Sequence, residues 1–348
     1  MRAVLLKGHG GTEQLEFRDD VPAPVPAAGE VLVGISAAAI NNTDINTRLG
    51  WYSKAIVSAT STTQAAAATV RDSGCAGDPL TFPRIQGADA CGRIVAVGPD
   101  VDARRIGERV LIDPVIRRAS GAPLYFGSDL PGAFAQFAAV PARNAVAVDS
   151  TLSDIELASF PCAYLAAENM LTRAAVAAGD RVLVTGASGG VGSAAVQLAR
   201  RRGAHVTALA GDAKTAVLRT LGAARVLSRQ ADLVAELGRE SIDSVIDVVG
   251  GPRFGQLLDV LARGGCYAVA GAIAGPVVEL DLRTLYLKDL RLLGCTIPDE
   301  QVFANLVRYI ERGEIRPLIS ATFPLSEIAA AQESFLEKSH LGKIVLVL

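Results

Sequence analysis

Residues 180–212 read DRVLVTGASGGVGSAAVQLARRRGAHVTALAGD. A short apolar run leads into GASGGVG, and SAAVQLARRRG follows with apolar residues at three- and four-residue spacing. That pattern predicts a buried strand, a tight glycine turn and a helix. Bare glycines let the backbone approach a pyrophosphate, and the unpaired N–H groups and positive dipole end of the helix stabilise its charge. The GxGxxG spacing falls on Ala187, Gly189 and Gly192, with alanine in the first place. The next apolar strand, HVTALA, follows at about the interval a dinucleotide unit requires. The stretch therefore predicts a dinucleotide site whose pyrophosphate meets Ser188, Gly189, Gly190, Val191 and Gly192. The competing reading is a strand-to-helix turn that binds nothing.

Outward from this stretch the chain has two textures. Before residue 150 it reads as short strands, among them RAVLL, EVLVGISAAAI, CGRIVAVG and ERVLI, separated by turn signals such as PAPVPAAG and GPDVDARRIG. Afterwards helical patterns alternate with apolar strands, DRVLVTG, HVTALAG, ARVLS, SIDSVIDVVG and CYAVAGA. Such alternation implies a parallel sheet covered on both faces. The ending GKIVLVL reads as a strand that rejoins the first part. The expected organisation is a mostly β domain of residues 1–152 and 296–348, interrupted by a doubly wound dinucleotide-binding domain of residues 153–295.

With 348 residues the chain is long enough for two cores. Its 34 Lys and Arg against 36 Asp and Glu give a net charge of −2, which argues against nucleic acid or an anionic membrane as partner. No apolar run approaches the roughly 20 residues of a membrane span, and the start, MRAVLLKGHGG, lacks the apolar core of a signal peptide. The five cysteines, at 75, 91, 162, 266 and 295, are scattered, with no CxxC pair. A reducing cytoplasm is the expected location.

Cofactor choice depends on the end of the second strand, HVTALAGDAK. An NAD site places an acid there for the ribose 2′-hydroxyl; an NADP site supplies cations instead. Leu209 and Ala210 end this strand, Gly211 follows, and Lys214 and, past the next strand, Arg229 carry charge suited to a 2′-phosphate. The reading is NADP(H), with Asp212 keeping NAD open.

The run AAGEVLVGISAAAINNTDINTRLGWYS, together with GADACGRIVAVGPDV, GASGGVG and GKIVLVL, resembles the medium-chain dehydrogenase/reductase superfamily over nearly the whole chain. Within it the zinc-free quinone oxidoreductases, which include zeta-crystallin, are most similar. The resemblance implies an α/β fold: a Rossmann doubly wound parallel sheet inserted in a GroES-like catalytic domain, assembled as a homodimer through the edge segment LRLLGCTI, 290–297. Zinc alcohol dehydrogenases carry a metal-binding cysteine where Asn41 stands and GHE where this chain has Gly87, Ala88 and Asp89. Two of three zinc ligands are then missing, and Cys162, near the third, cannot hold a metal alone. No zinc is expected.

Without a Lewis acid, the implied chemistry is hydride delivery from NADPH to a small electron-poor acceptor, a quinone or enone. The resemblance puts Asn41 and Tyr52 at the substrate, as N–H and O–H donors. Their structural alternatives are a turn cap for Asn41 and packing on Trp51 for Tyr52. The cofactor set further takes in Val249, Gly271 and Lys343. Asp44 is expected to hold a network rather than act as a base, and Asn46 departs from a tyrosine often found in the family. For an alcohol or aldehyde dehydrogenase without metal, His340 is the candidate proton relay; a non-catalytic dinucleotide-binding protein is the other alternative. Residues 54–84 are longer than the family's usual connection, and their alanine-rich middle is expected to form a helix or lid.

Overall fold

The structure is a computed structural model and describes residues 1–63 and 80–348. The expected alanine-rich helix falls largely on 64–79 and so lies outside the described residues. The chain divides into two compact units, one of Met1–Ile56, Thr63–Cys162 and Phe303–Leu348, the other of Val57–Thr62 and Ala163–Val302.

The first unit is built on a seven-stranded sheet. Its spine is the ten-residue strand Glu30–Ala39, whose side chains alternate between half-buried and buried as far as Ala37, as a strand with one covered face requires, and are buried on both faces at Ala38 and Ala39. Cys91–Val97 and Phe137–Pro141 pair with it antiparallel. So does the last strand, Lys343–Val347, through Val345 opposite Ala39 and Val347 opposite Ala37. The sheet continues through Arg109–Ile112 to Ala145–Ala147 on one side and ends at Ile319–Pro324 on the other. This unit reaches Cys162, ten residues beyond the expected boundary at 152. The reason is the short helix Asp154–Leu157, which is capped by Ser153 and Glu156 and tied down by Arg109 Nε donating to Asp154 Oδ1 at 2.6 Å.

The second unit carries six strands, all parallel, in the spatial order Arg225–Ser228, His205–Ala210, Arg181–Val184, Ile242–Asp247, Leu261–Val269, Arg291–Gly294. Counted along the unit this is 3-2-1-4-5-6, the doubly wound order, with its switch point between Arg181–Val184 and Ile242–Asp247. The helix Gly190–Arg201 buries Ala194, Ala195, Val196, Leu198 and Ala199 and leaves Arg200 and Arg201 to solvent. Leu183, Leu209, Val245, Phe254, Leu257 and Tyr267 belong to one core cluster of the sheet and the helices on it. Among the described residues no helix is long and apolar enough to cross a membrane.

Candidate active site

In the second unit the strand Arg181–Val184 ends at the switch point, where doubly wound sheets bind ligands. The helix Gly190–Arg201 starts at Gly189, and no side chain caps it, so its first N–H groups are left to another acceptor. The two glycines of the turn serve different ends. A Cβ on Gly192 would lie 2.2 Å from the Gly186 carbonyl oxygen, so that glycine is required by the close approach of helix and strand. Among the described residues a Cβ on Gly189 would meet nothing nearer than 3.6 Å, so its bareness answers to none of these neighbours and leaves backbone open to a ligand. The turn thus fits a pyrophosphate.

At the end of His205–Ala210, a Cβ on Gly211 would also find open space. Lys214 closes the short turn after it, its N–H bonded to the Gly211 carbonyl at 3.0 Å, and Arg229 N–H donates to the Ala210 carbonyl at 2.9 Å. Burial, and next the charge of Arg229, lowers the Lys214 pKa. Two cations therefore share this corner, and among the described residues no carboxylate stands at ion-pairing distance from Arg229. Asp212 lies exposed on the same turn. On the other side of the switch point, Val249 and Gly271 pack into adjoining loops: a Cβ on Gly186 would lie 3.0 Å from Val249 Cγ2, and one on Gly271 3.0 Å from the Val248 carbonyl.

In the first unit, Asn41 caps the helix Asn42–Leu49, with its backbone N–H donating to Asp44 Oδ2 at 2.8 Å. Its side chain turns inward. The amide Nδ2 donates to Asp89 Oδ2 at 2.8 Å and to the Ala39 carbonyl at 3.2 Å. Its Oδ1 accepts from Lys343 Nζ at 2.5 Å. Lys343 also donates to Asp89 Oδ2 at 2.8 Å and to the Ile40 carbonyl at 3.1 Å. Asp89 Oδ1 accepts from the Cys162 backbone N–H at 2.5 Å. Both amide hydrogens of Asn41 are thus engaged within the protein, as are the three ammonium donors of Lys343, which leaves Lys343 none for a cofactor phosphate. Asp44 lies beside this cluster, and burial pushes its carboxyl up to about 7. Cys162 is pushed up to about 12, first by burial and then by the charge of Asp89, which disfavours the thiolate that a nucleophile or metal ligand needs.

Tyr52 does pack on Trp51, edge to face with ring centroids 5.9 Å apart. Its hydroxyl nevertheless donates to Thr43 Oγ1 at 3.0 Å, bringing two hydroxyls of half-buried residues together. Asn46 is buried and accepts from Asn42 Nδ2 at 3.2 Å. His340 stacks on Phe335, with ring centroids 4.9 Å apart. The sequence reading missed Thr43 and the partnership of Asp89 with Lys343. Thr43 carries a local signal, since it stands next to Asp44 in the NNTD run.

A strand-turn-helix with an open glycine cradle at the switch point of a 3-2-1-4-5-6 sheet, carried with a separate β unit, defines a two-domain nucleotide-dependent dehydrogenase or reductase. The alcohol dehydrogenase GroES-like domain family matches residues 27–150 and the zinc-binding dehydrogenase family residues 190–312. A putative alcohol dehydrogenase of known structure from Sinorhizobium meliloti is 50% identical with a TM-score of 0.91, over 100% of this chain and 96% of that one. Acryloyl-coenzyme A reductase of Metallosphaera sedula is 29% identical over 99% of both chains. Quinone oxidoreductase of Homo sapiens is 28% identical over 100% of this chain and 98% of its own. The chain belongs to the medium-chain dehydrogenase/reductase superfamily, with a GroES-like domain and a Rossmann-like domain. It is an oxidoreductase of the kind that uses a nicotinamide dinucleotide.

Proposed function

We propose that the protein transfers hydride from NADPH to a quinone, enone or similarly electron-poor carbonyl acceptor, and does so without zinc. The observation that carries this reading is the place taken by Lys343 Nζ, 2.5 Å from Asn41 Oδ1 and 2.8 Å from Asp89 Oδ2. A zinc site takes three thiolate, imidazole or carboxylate ligands. Here an amide and an ammonium stand around one carboxylate, whose two oxygens already accept from Cys162, Asn41 and Lys343. That donor set does not fit the metal.

Bound NADPH supplies the hydride; the chain's own residues bind and orient the reactants and stabilise the developing charge. The helix that starts at Gly189 holds the pyrophosphate, and Lys214 and Arg229 recognise the 2′-phosphate. With the Asn41 amide engaged internally, the Tyr52–Thr43 hydroxyl pair is assigned to the acceptor oxygen: Tyr52 donates to Thr43 Oγ1, and the Thr43 O–H turns to that oxygen as negative charge grows on it. Hydride reaches the electron-poor carbon, and a proton from solvent completes the reduction. The names of two relatives support the acceptor class, since quinones and acryloyl thioesters are both electron-poor. The Sinorhizobium meliloti structure favours a second reading, alcohol oxidation. A steady-state assay of NADPH oxidation with quinones and enones, run beside NADP+ reduction with alcohols, separates the two. Activity confined to the alcohols overturns the first.

A further inference from the structure

We infer that Asp247 is a positioning residue for the dinucleotide, shaping the loop after the fourth strand of the sheet by acting as a buried four-way acceptor. The inference rests on the proposed binding of a dinucleotide at the glycine turn. Asp247 ends the strand Ile242–Asp247 and is 0% exposed. Its Oδ1 accepts from the Thr185 hydroxyl and, at 2.8 Å, from the Val249 N–H. The Gly250 N–H reaches both carboxylate oxygens at 3.2 Å. Oδ2 accepts from the Tyr267 hydroxyl at 2.5 Å. Among the described residues no cation pairs with it.

A buried carboxylate without a countercharge is costly, and only a full set of donors makes it tolerable. The four donors come from three adjacent strands. Thr185 follows Arg181–Val184, Val249 and Gly250 follow Ile242–Asp247, and Tyr267 lies on Leu261–Val269. Thr185 Oγ1 in turn accepts from the Val248 N–H at 3.1 Å. The loop so fixed places Val249 against the Gly186 turn and fastens the next loop through the Val249 carbonyl, which accepts from Ala274 N–H at 2.8 Å. A carboxylate offers about four acceptor sites and no donor, whereas an asparagine amide in place of Oδ2 would set its hydrogens against the Gly250 N–H, which can only donate, and would require the Tyr267 hydroxyl to reverse and accept. The arrangement therefore favours aspartate. Lys214 and Arg229 follow strands on the opposite side of the first strand, so Asp247 acts on a part of the dinucleotide that NADH and NADPH share.

The test is direct binding of NADPH and of NADH to the purified protein, read by nucleotide fluorescence without substrate, beside thermal unfolding of the same samples. Asp247→Asn is expected to weaken both cofactors by roughly ten- to a hundredfold, equally for the two. Tyr267→Phe removes a donor but leaves the loop N–H bonds in place; it is expected to lower Tm while keeping both affinities within about twofold. If Asp247→Asn does not fold, Thr185→Val, which frees the Val248 N–H and one Asp247 contact, is expected to reproduce the loss of affinity. Unchanged affinities in Asp247→Asn or, in its absence, Thr185→Val would overturn the inference. Losses that track Tm across the variants, Tyr267→Phe included, would assign Asp247 to stability alone and overturn it as well. Wild-type protein that binds neither dinucleotide would instead refute the function on which the inference rests.

Discussion

The ammonium of Lys343 and the carboxylate of Asp89 meet 2.8 Å apart with side chains 3% and 0% exposed. Breaking such a buried pair from one side leaves an uncompensated charge in the interior and costs about 3–5 kcal/mol. Lys343→Met should destabilise the protein by that order in urea unfolding. The loss in Lys343→Met/Asp89→Asn should fall short of the sum of the single losses by about 1–3 kcal/mol; strict additivity would show that the two groups are not coupled. Elemental analysis belongs to the same experiment. Wild type should carry far less than one zinc per chain, and stoichiometric zinc lost together with activity on chelation would refute the zinc-free reading.

Asp44 gives the protein a pH dependence of definite sign. Burial is the main cause that pushes its carboxyl from the ordinary aspartate value of about 4 to about 7, and the nearby Asp89 charge adds to the shift while Asn41 N–H and Lys343 oppose it. Between those two values the folded protein holds a proton that the unfolded chain has released. The stability this group contributes is complete below about pH 4 and is lost as pH rises through about 7. Asp44→Asn keeps an acceptor for the Asn41 N–H and removes the titration. Relative to wild type, the variant should therefore gain on the order of 1–4 kcal/mol between pH 4 and 8. A variant-minus-wild-type difference that stays flat over that range would contradict this.

The glycine turn was legible because its chemistry is local: strand, bare backbone and helix start lie within residues 180–201, and their spacing reports their geometry. The doubly wound sheet was legible for a related reason, since apolar strands alternating with helices admit few arrangements. The Asn41–Asp89–Lys343 cluster was not, because its members are separated by 48, 254 and 302 residues and no local pattern links them. Lys343 in GKIVLVL was expected in the cofactor set, yet the pairing of that strand with Glu30–Ala39 draws its side chain into the core. Asp247 did carry a signal, an acid closing the run SVI, whose cost under burial demands a compensating role.

The sheet edge predicts an assembly. Among the described residues Arg291–Gly294 is paired on one side only, with Leu261–Val269. Nearby in sequence, Val277 is 69%, Leu282 64%, Tyr286 61% and Leu287 55% exposed. Two-fold pairing of a second copy at this edge would cover both the open ladder and apolar surface. Sedimentation at micromolar concentration should give the mass of two chains, and Leu292→Arg should shift the population toward one. A single-chain mass for wild type would refute the pairing.

Cofactor preference tests the corner formed by Lys214 and Arg229. If they bind a 2′-phosphate, NADPH should be preferred to NADH, and Arg229→Ala should raise KM for NADPH while hardly moving that for NADH. Loss of one charge-assisted contact to phosphate costs about 1.5–3 kcal/mol, or roughly ten- to a hundredfold. Arg229 is exposed, so the effect should shrink as salt rises. Should Asp212 instead accept from a ribose hydroxyl, wild type will prefer NADH, Arg229→Ala will be silent and Asp212→Ala will weaken NADH. An equal loss for both cofactors in Arg229→Ala would assign that side chain to the fold.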